Sequence, residues 1–179
     1  MRQSNTKKLV IIALFAAIIC VSSYISIPLP FSPVPLTLQT FAIMLAGLIL
    51  LPLEAAASVG VFLLIGIIGV PVFSGGSAGI GVVLGPTGGY LVGFLVGAIV
   101  ISLLKGEKVS FMRMLIATTV GGVVVVYAIG VPWLANATGM DLGKAFTVGA
   151  VPFLIGDAIK VFVAVSAATT LRKQLKHIL

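Results

Sequence analysis

Acidic residues are scarce in this sequence: Asp and Glu together number 4 among 179 residues, against 11 Lys and Arg. Charged residues of both signs make up 8% of the chain, whereas about 25% is usual for a soluble domain. So little charge excludes an ordinary water-soluble protein. The net charge of +7 does not indicate nucleic acid, because the basic residues gather at the ends of apolar runs.

Cysteine and histidine occur once each, as Cys20 and His177. Cys20 has no second cysteine to pair with, so no disulfide and no metal site are predicted. A catalytic serine would need a nearby imidazole, and His177 lies in the tail. Gly143 and Lys144 lack the hydroxyl residue and the spacing of a nucleotide-binding P-loop. We therefore predict a protein that is not an enzyme, has no cofactor and has no ATPase motif of its own.

Apolar runs dominate what is present: 60% of the residues are hydrophobic and the mean hydropathy is +1.29. Serial runs of this kind predict an all-α polytopic membrane protein in the lipid bilayer, with one domain over residues 1–179. A proline-rich loop follows the first run, Pro52 divides two short runs, and a loop through Trp133 precedes the last. The six predicted transmembrane helices cover approximately 7–27, 36–51, 53–69, 86–104, 112–130 and 148–171.

The distribution of Lys and Arg supports six spans, because cytoplasmic loops of membrane proteins carry the excess of basic residues. With both termini cytoplasmic, Lys144 alone lies outside and Lys160 is embedded. A single span over residues 36–69 would instead scatter the basic residues over both sides. The nine predicted cytoplasmic cations are Arg2, Lys7, Lys8, Lys105, Lys108, Arg113, Arg172, Lys173 and Lys176.

Asp157 and Lys160 stand three residues apart inside the last apolar run, so a helix places them on one face. A charged side chain near the bilayer centre costs roughly 2.5 to 3.5 kcal/mol on insertion scales, so such residues face the protein interior. They can form a substrate site, or an internal ion pair that only holds two helices together. The pair alone leaves both interpretations open.

Uncharged polar residues in other spans extend the candidate site. Gln39 and Tyr90 lie in apolar runs, and either could serve as a hydrogen bond between helices. Together with Asp157 and Lys160 they suit a small amphipathic ligand that carries a carboxylate. Ala13, Ala16 and Ala17 form a small-residue face on the first span, available for internal packing or for a partner.

Four ordered motifs resemble the BioY family, the biotin-binding S components of energy-coupling factor (ECF) transporters. They are Pro33-Val-Pro-Leu-Thr-Leu-Gln-Thr40, Pro71-Val-Phe-Ser-Gly-Gly76, Leu84-Gly-Pro-Thr-Gly-Gly-Tyr90 and Pro152-Phe-Leu-Ile-Gly-Asp-Ala-Ile-Lys160. The resemblance implies the six-helix S-component fold, biotin as ligand and uptake of this vitamin across the plasma membrane of a prokaryote. It also implies partners, namely a transmembrane T component and two ATP-binding cassette ATPases, and it assigns the T-component contact to Ala13 and Ala17.

The resemblance further implies roles in the site. Lys160 would pair with the valerate carboxylate of biotin and Asp157 would accept from the ureido N–H groups, although the opposite orientation stays open. Gln39 and Tyr90 would add hydrogen bonds, and the glycine-rich loop from Gly75 to Gly81 would close over the ring. The candidate substrate-binding residues are Asp157, Lys160, Gln39, Tyr90, Ser74, Gly75, Gly76 and Gly79.

Two other classes remain open. A stand-alone, ion-coupled secondary transporter of a small carboxylate-bearing solute would also embed an Asp and a Lys, although we find no repeat between the halves of this chain. A structural or channel protein would use the two charges as an ion pair or pore lining, and would tolerate their exchange. Biotin binding would distinguish a BioY-type S component from these two classes.

Overall fold

The computed structural model describes residues 2–175, with side chains for residues 6–174, and this part of the chain is mostly helical. The described part does not include the side chain of Arg2. It also does not include Lys176 and His177. A π-helical turn, Val120–Val125, joins α6 to α7, and 3₁₀ turns lie at Ser74–Gly76 and Val151–Phe153. The helices are α1 (Arg2–Ser22), α2 (Gln39–Ile49), α3 (Pro52–Ile67), α4 (Ile80–Leu84), α5 (Gly88–Leu104), α6 (Phe111–Thr119), α7 (Val126–Thr138), α8 (Leu142–Gly149) and α9 (Leu154–Leu175).

Two helical stretches among the described residues are long and apolar enough to cross a membrane by length and composition. They cover Phe111–Thr138 and Leu142–Gln174, with hydropathies of 2.2 and 1.9. Helices α2, α3 and α5 are apolar but shorter. At 1.5 Å per residue, α2 is about 16 Å long, which is short of the roughly 30 Å hydrocarbon core. The count of six spans therefore stays a prediction.

The proline-rich loop between α1 and α2 is not helical, as predicted, because proline removes backbone donors. Two short antiparallel strands close this loop, β1 (Ser26–Ile27) and β2 (Leu36–Thr37), with Ser26 paired to Thr37. Pro52 is the first residue of α3, a position where its missing N–H has no cost. The break predicted between the second and third spans therefore lies just before Pro52.

The prediction of a loop through Trp133 is wrong. Helix α7 continues to Thr138 with Pro132 inside it, and it ends at Gly139, whose φ of 68° is left-handed. Proline is tolerated in an apolar helix when neighbouring groups compensate for the lost hydrogen bond. The predicted loop after α7 also contains a helix, α8, whose first turn is capped by the Asp141 carboxylate.

Small residues let α5 lie close to α7 and to the π-helical turn. A side chain at Gly93 would meet the backbone of Val126, and one at Gly97 would meet the backbone of Gly121. Small residues at such positions are typical of helix contacts in membranes. This packing brings Tyr90, near the start of α5, to the same level as the first turn of α7.

Lys105 holds the end of α2 that is farthest from Gln39. Its side chain is buried, and its ammonium donates to the carbonyls of Gly47 (3.0 Å) and Leu50. The Ser102 hydroxyl also donates to the Leu50 carbonyl, at 2.6 Å. These bonds attach the last turn of α2 to the end of α5.

Lys105 gives the protein a specific pH dependence. Burial lowers the pKa of Lys105 to about 7, with Arg172 acting in the same direction and Glu54 opposing it. An unfolded lysine keeps its proton to about pH 10.4. Between about pH 7 and about pH 10 the unfolded state therefore binds more protons, and stability rises with pH. We expect the melting temperature to rise with pH over this range, and to rise less steeply in Lys105→Met than in the parent protein.

The exposed Lys108 provides the control for this measurement. Lys108→Met removes a lysine of ordinary exposure and is expected to keep the parent slope. An equal slope in Lys105→Met and the parent, measured in one detergent, would contradict the assignment.

Candidate functional site

A cavity that is partly open to solvent lies between β2, the start of α2, α5, α7 and α9. Apolar and aromatic side chains form most of its wall, and Asp157 and Lys160 are the only fully charged residues among the described ones that line it. The lining residues are Val34, Pro35, Leu36, Thr37, Thr40, Phe73, Ser74, Val82, Thr87, Tyr90, Leu91, Phe94, Gly122, Val126, Tyr127, Gly149, Phe153, Asp157 and Lys160.

Asp157 lies in the first turn of α9 and is 3% exposed. Its Oδ1 is 3.3 Å from the Lys160 ammonium, and its Oδ2 accepts a hydrogen bond from the Tyr127 hydroxyl. A buried carboxylate needs such partners, because an uncompensated charge in an apolar environment is very costly. Both oxygens are therefore engaged, and each keeps acceptor capacity for a ligand donor.

Lys160 uses all three of its N–H donors inside the protein. Its ammonium donates to the Thr37 carbonyl and to the Thr40 hydroxyl, both at 2.8 Å, and to Asp157 at 3.3 Å. Thr37 belongs to β2 and Thr40 to the first turn of α2. The strand pair and α2 thus hold the ammonium in place, and the contact to Asp157 is the longest of the three.

Tyr90 reaches the cavity mainly with its ring. Its hydroxyl donates to the Gly149 carbonyl at 2.9 Å, and the residue is 5% exposed. The ring of Tyr127 meets it edge to face, with centroids 6.3 Å apart. Because its donor is occupied, Tyr90 offers a ligand an aromatic surface and an acceptor oxygen.

Ser74 lines the cavity, and Gln39 lies behind it. The Ser74 hydroxyl donates to Gln39 Oε1 at 3.1 Å. Gln39 is 1% exposed, and its Nε2 has no hydrogen-bond partner among the described residues. A buried donor without a partner is costly, so this amide is available to a rearranged Ser74 or to a ligand that enters behind it.

The predicted glycines shape the loop that carries Ser74 and do not themselves line the cavity. Gly75, Gly76 and Gly79 have φ values of 66°, 78° and 92°, which side chains rarely adopt. The N–H of Gly75 donates to the Ser23 carbonyl at 3.1 Å, so the loop is tied to the end of α1. The three glycines therefore contribute to the site by letting the backbone of this loop turn, which positions Ser74.

The three alanines of α1 do not share one face. Ala16 is 3% exposed and packs inward, whereas Ala13 and Ala17 are exposed. Large apolar side chains, Leu14 and Ile18, are exposed beside them. Ala13 and Ala17 are thus accessible to a neighbouring helix, and Ala16 is not.

Sequence reasoning missed Tyr127, Thr37 and Thr40, all of which bond to the charged pair. Tyr127 is an uncharged aromatic residue in an apolar helix, and no sequence signal marks its proximity to Asp157. Thr37 and Thr40 lie in the same motif as Gln39, Pro33 to Thr40, and this position in the sequence could have indicated them. Among the described residues, no cluster of three or more His, Cys, Asp or Glu side chains could hold a metal.

Comparison with known proteins identifies the family. The BioY family matches residues 1–177. The chain belongs to the BioY family. The Thermotoga maritima "Biotin transporter BioY" is 42% identical, with 93% of this chain and 96% of that protein covered. The protein of the same description from Rhizobium etli is 40% identical, with 89% and 90% covered.

A solved structure extends the BioY assignment to the fold. A crystal structure described as the S-component for biotin from an ECF-type ABC transporter superposes with a TM-score of 0.89. The two chains are 31% identical, and the match covers 97% of this chain and 94% of the other. This confirms the predicted BioY resemblance over nearly the whole chain and the all-helical S-component architecture.

Proposed function

We propose that this BioY-family chain binds biotin in the cavity and delivers it into the cell through an ECF transporter complex. The observation that carries the proposal is the buried network of Tyr127, Asp157 and Lys160 inside an otherwise apolar cavity. Few polar groups in fixed positions within an apolar wall are typical of small-molecule sites. The relatives described as biotin transporters support biotin as the molecule.

The donors of Lys160 suggest how the ligand enters the network. The bonds to Thr37 and Thr40 are 2.8 Å, whereas the contact to Asp157 is 3.3 Å. A ligand carboxylate would most easily replace the longest contact and form a charge-assisted bond with the ammonium. The Lys160 ammonium and Asp157 Oδ1 are 3.3 Å apart, whereas the carboxylate and the ureido group lie at opposite ends of biotin. One end of the ligand would therefore contact both charges, and the orientation with the ureido group at the pair and the carboxylate toward the loops stays open. In either orientation the aromatic wall would contact the ring system.

The remaining parts of the proposal concern the membrane and the partners. We assign six membrane spans with cytoplasmic termini in the plasma membrane of a prokaryote. Because the sequence has no ATPase motif, a T component and two ATP-binding cassette ATPases would supply the energy. The exposed Ala13 and Ala17 of α1 would contact the T component, since small residues let helices approach closely in a membrane.

Calorimetric titration of the purified protein with biotin tests the proposal. We expect saturable binding of one biotin per chain, and much weaker binding of biotin methyl ester, which lacks the carboxylate. The single indole, Trp133, donates to the Gly85 carbonyl near the cavity and gives a second, optical signal. Absence of heat and signal from a folded sample would exclude biotin. Ion-driven solute uptake by the chain alone in liposomes would favour the secondary transporter.

Removing the Tyr127 hydroxyl is expected to weaken biotin binding by about tenfold, the value of one hydrogen bond to a charged group. Tyr127→Phe keeps the ring and removes only the donor to Asp157. Tyr24→Phe is the matched control, because its hydroxyl donates to the Pro71 carbonyl at an exposed place. Titration of both variants should give a changed dissociation constant for Tyr127→Phe alone. If Tyr127→Phe bound biotin as tightly as the parent protein, a role for Tyr127 in orienting Asp157 would be contradicted.

A further inference from the structure

A second hollow lies on the outer surface of the same helices. It is a groove of about 1040 Å³, including open space, between α7, α8 and the start of α9. Its lining is almost wholly apolar, and Val124, Leu142, Phe146 and Leu154 at its edges are each at least 41% exposed. An exposed apolar groove in a membrane protein faces hydrocarbon, so its natural content is an extended apolar chain.

Tyr127 is the one residue that lines both the groove and the substrate cavity within the described part of the chain. Its ring therefore separates the two spaces. The hydroxyl at the end of this ring donates to Asp157. Whatever fills the groove consequently limits how far the ring can move away from the carboxylate.

The charge beside the groove indicates the nature of the occupant. Gly143 lines the groove, and the next residue, Lys144, is exposed. No carboxylate lies within ion-pair distance of its ammonium among the described residues. Asp141 uses its carboxylate to cap α8 through the backbone N–H groups of Gly143 and Lys144. An apolar groove whose lining is followed in the chain by an exposed cation matches a molecule with an acyl chain and a phosphate.

We propose that the groove binds one phospholipid of the bilayer, with an acyl chain against Tyr127 and the phosphate at Lys144. The bound chain keeps the Tyr127 hydroxyl on Asp157 and so favours the binding-ready form of the cavity. This is a coupling between two ligands, because each stabilises the same arrangement of one side chain. The coupling rests on the proposed biotin function, whereas lipid retention does not.

Native mass spectrometry of the detergent-purified protein tests the site directly, with phosphatidylglycerol as the added lipid. We expect one phospholipid to remain on the parent protein. Ala128→Phe places a ring in the groove at an exposed position and should abolish retention. Ala137→Phe, at an exposed position of the same helix outside the groove, should retain the lipid. Lys144→Gln should reduce retention, and Lys144→Arg should preserve it.

The effect on the cavity is measured by biotin titration before and after delipidation. We expect the parent protein to lose about tenfold in affinity when the support of the Tyr127 bond is lost, and to regain it with phosphatidylglycerol. Ala128→Phe should bind biotin equally well in both states, because its ring replaces the acyl chain. Tyr127→Phe should also be insensitive to lipid, since it has no hydroxyl to position.

Other outcomes overturn the proposal. Equal lipid retention in Ala128→Phe and Ala137→Phe would place the lipid elsewhere, and a mass of two chains without lipid would assign the groove to a second copy. A parent affinity that is unchanged by delipidation would remove the coupling. Failure of the parent protein to bind biotin in native lipid would instead contradict the proposed function.

Discussion

Replacing Lys160 by alanine is expected to weaken biotin binding by at least about 30-fold, because truncating one partner of a buried, hydrogen-bonded charge pair costs 2 to 5 kcal/mol. The change removes the proposed partner of the ligand carboxylate and leaves Asp157, 3% exposed, without its cation. Titration calorimetry in one detergent gives the dissociation constants. Lys108→Ala removes an exposed lysine and should leave them unchanged.

Exchanging the two charges separates a ligand site from an internal ion pair. A double variant with Asp157→Lys and Lys160→Asp keeps the neutral pair but moves the ammonium away from Thr37 and Thr40. We expect this variant to lose biotin binding, because the donors and acceptors no longer match the ligand. Normal biotin affinity in the exchanged variant would assign the pair a structural role only.

Replacing Ala17 by tryptophan is expected to abolish biotin uptake in cells that supply the T component and the ATPases, while biotin affinity stays within about twofold. Ala17 is exposed on α1, and a large ring there prevents close approach of another helix. The cavity lies between other elements, so its geometry is unaffected. Uptake of labelled biotin and titration of the purified variant give the two readouts.

Tryptophan at Ala137, an exposed position of α7, is the control for Ala17. Uptake should continue in this variant if α1 provides the docking surface. Undiminished uptake in Ala17→Trp would move the docking surface away from Ala17. Loss of uptake in both variants would show that any large ring on the surface is harmful.

The charged half of the site could be predicted from sequence because a carboxylate and an ammonium stand out in an apolar run. Asp157 and Lys160 are indeed neighbours, one turn apart on α9. Tyr127 could not be predicted in the same way. Its contact with Asp157 depends on the position of α7 after the π-helical turn, and the Val- and Gly-rich sequence there does not differ from ordinary helix. Contacts between uncharged residues of different helices are set by packing.

The helix boundaries were least predictable at prolines, because a proline can either begin a helix or lie inside one. Pro52 and Pro132 look alike as interruptions of an apolar run, yet one begins α3 and the other lies inside α7. The sequence around each proline does not show which of the two it will do. Composition alone predicted a helical membrane protein but could not place the end of α7.

The equal and opposite charges in the cavity have an electrical consequence. Among the described residues, Asp157 and Lys160 are the only fully charged ones in its wall, so the empty cavity is neutral. The carboxylate of the proposed ligand, biotin, would give the filled cavity one negative charge. In a cell that is negative inside, moving one negative charge inward requires about 2.3 kcal/mol for each 100 mV. Uptake of the proposed ligand therefore proceeds against the field. Depolarising the membrane by 100 mV should lower the electrical work for each biotin by about 2.3 kcal/mol, so we expect faster uptake of labelled biotin.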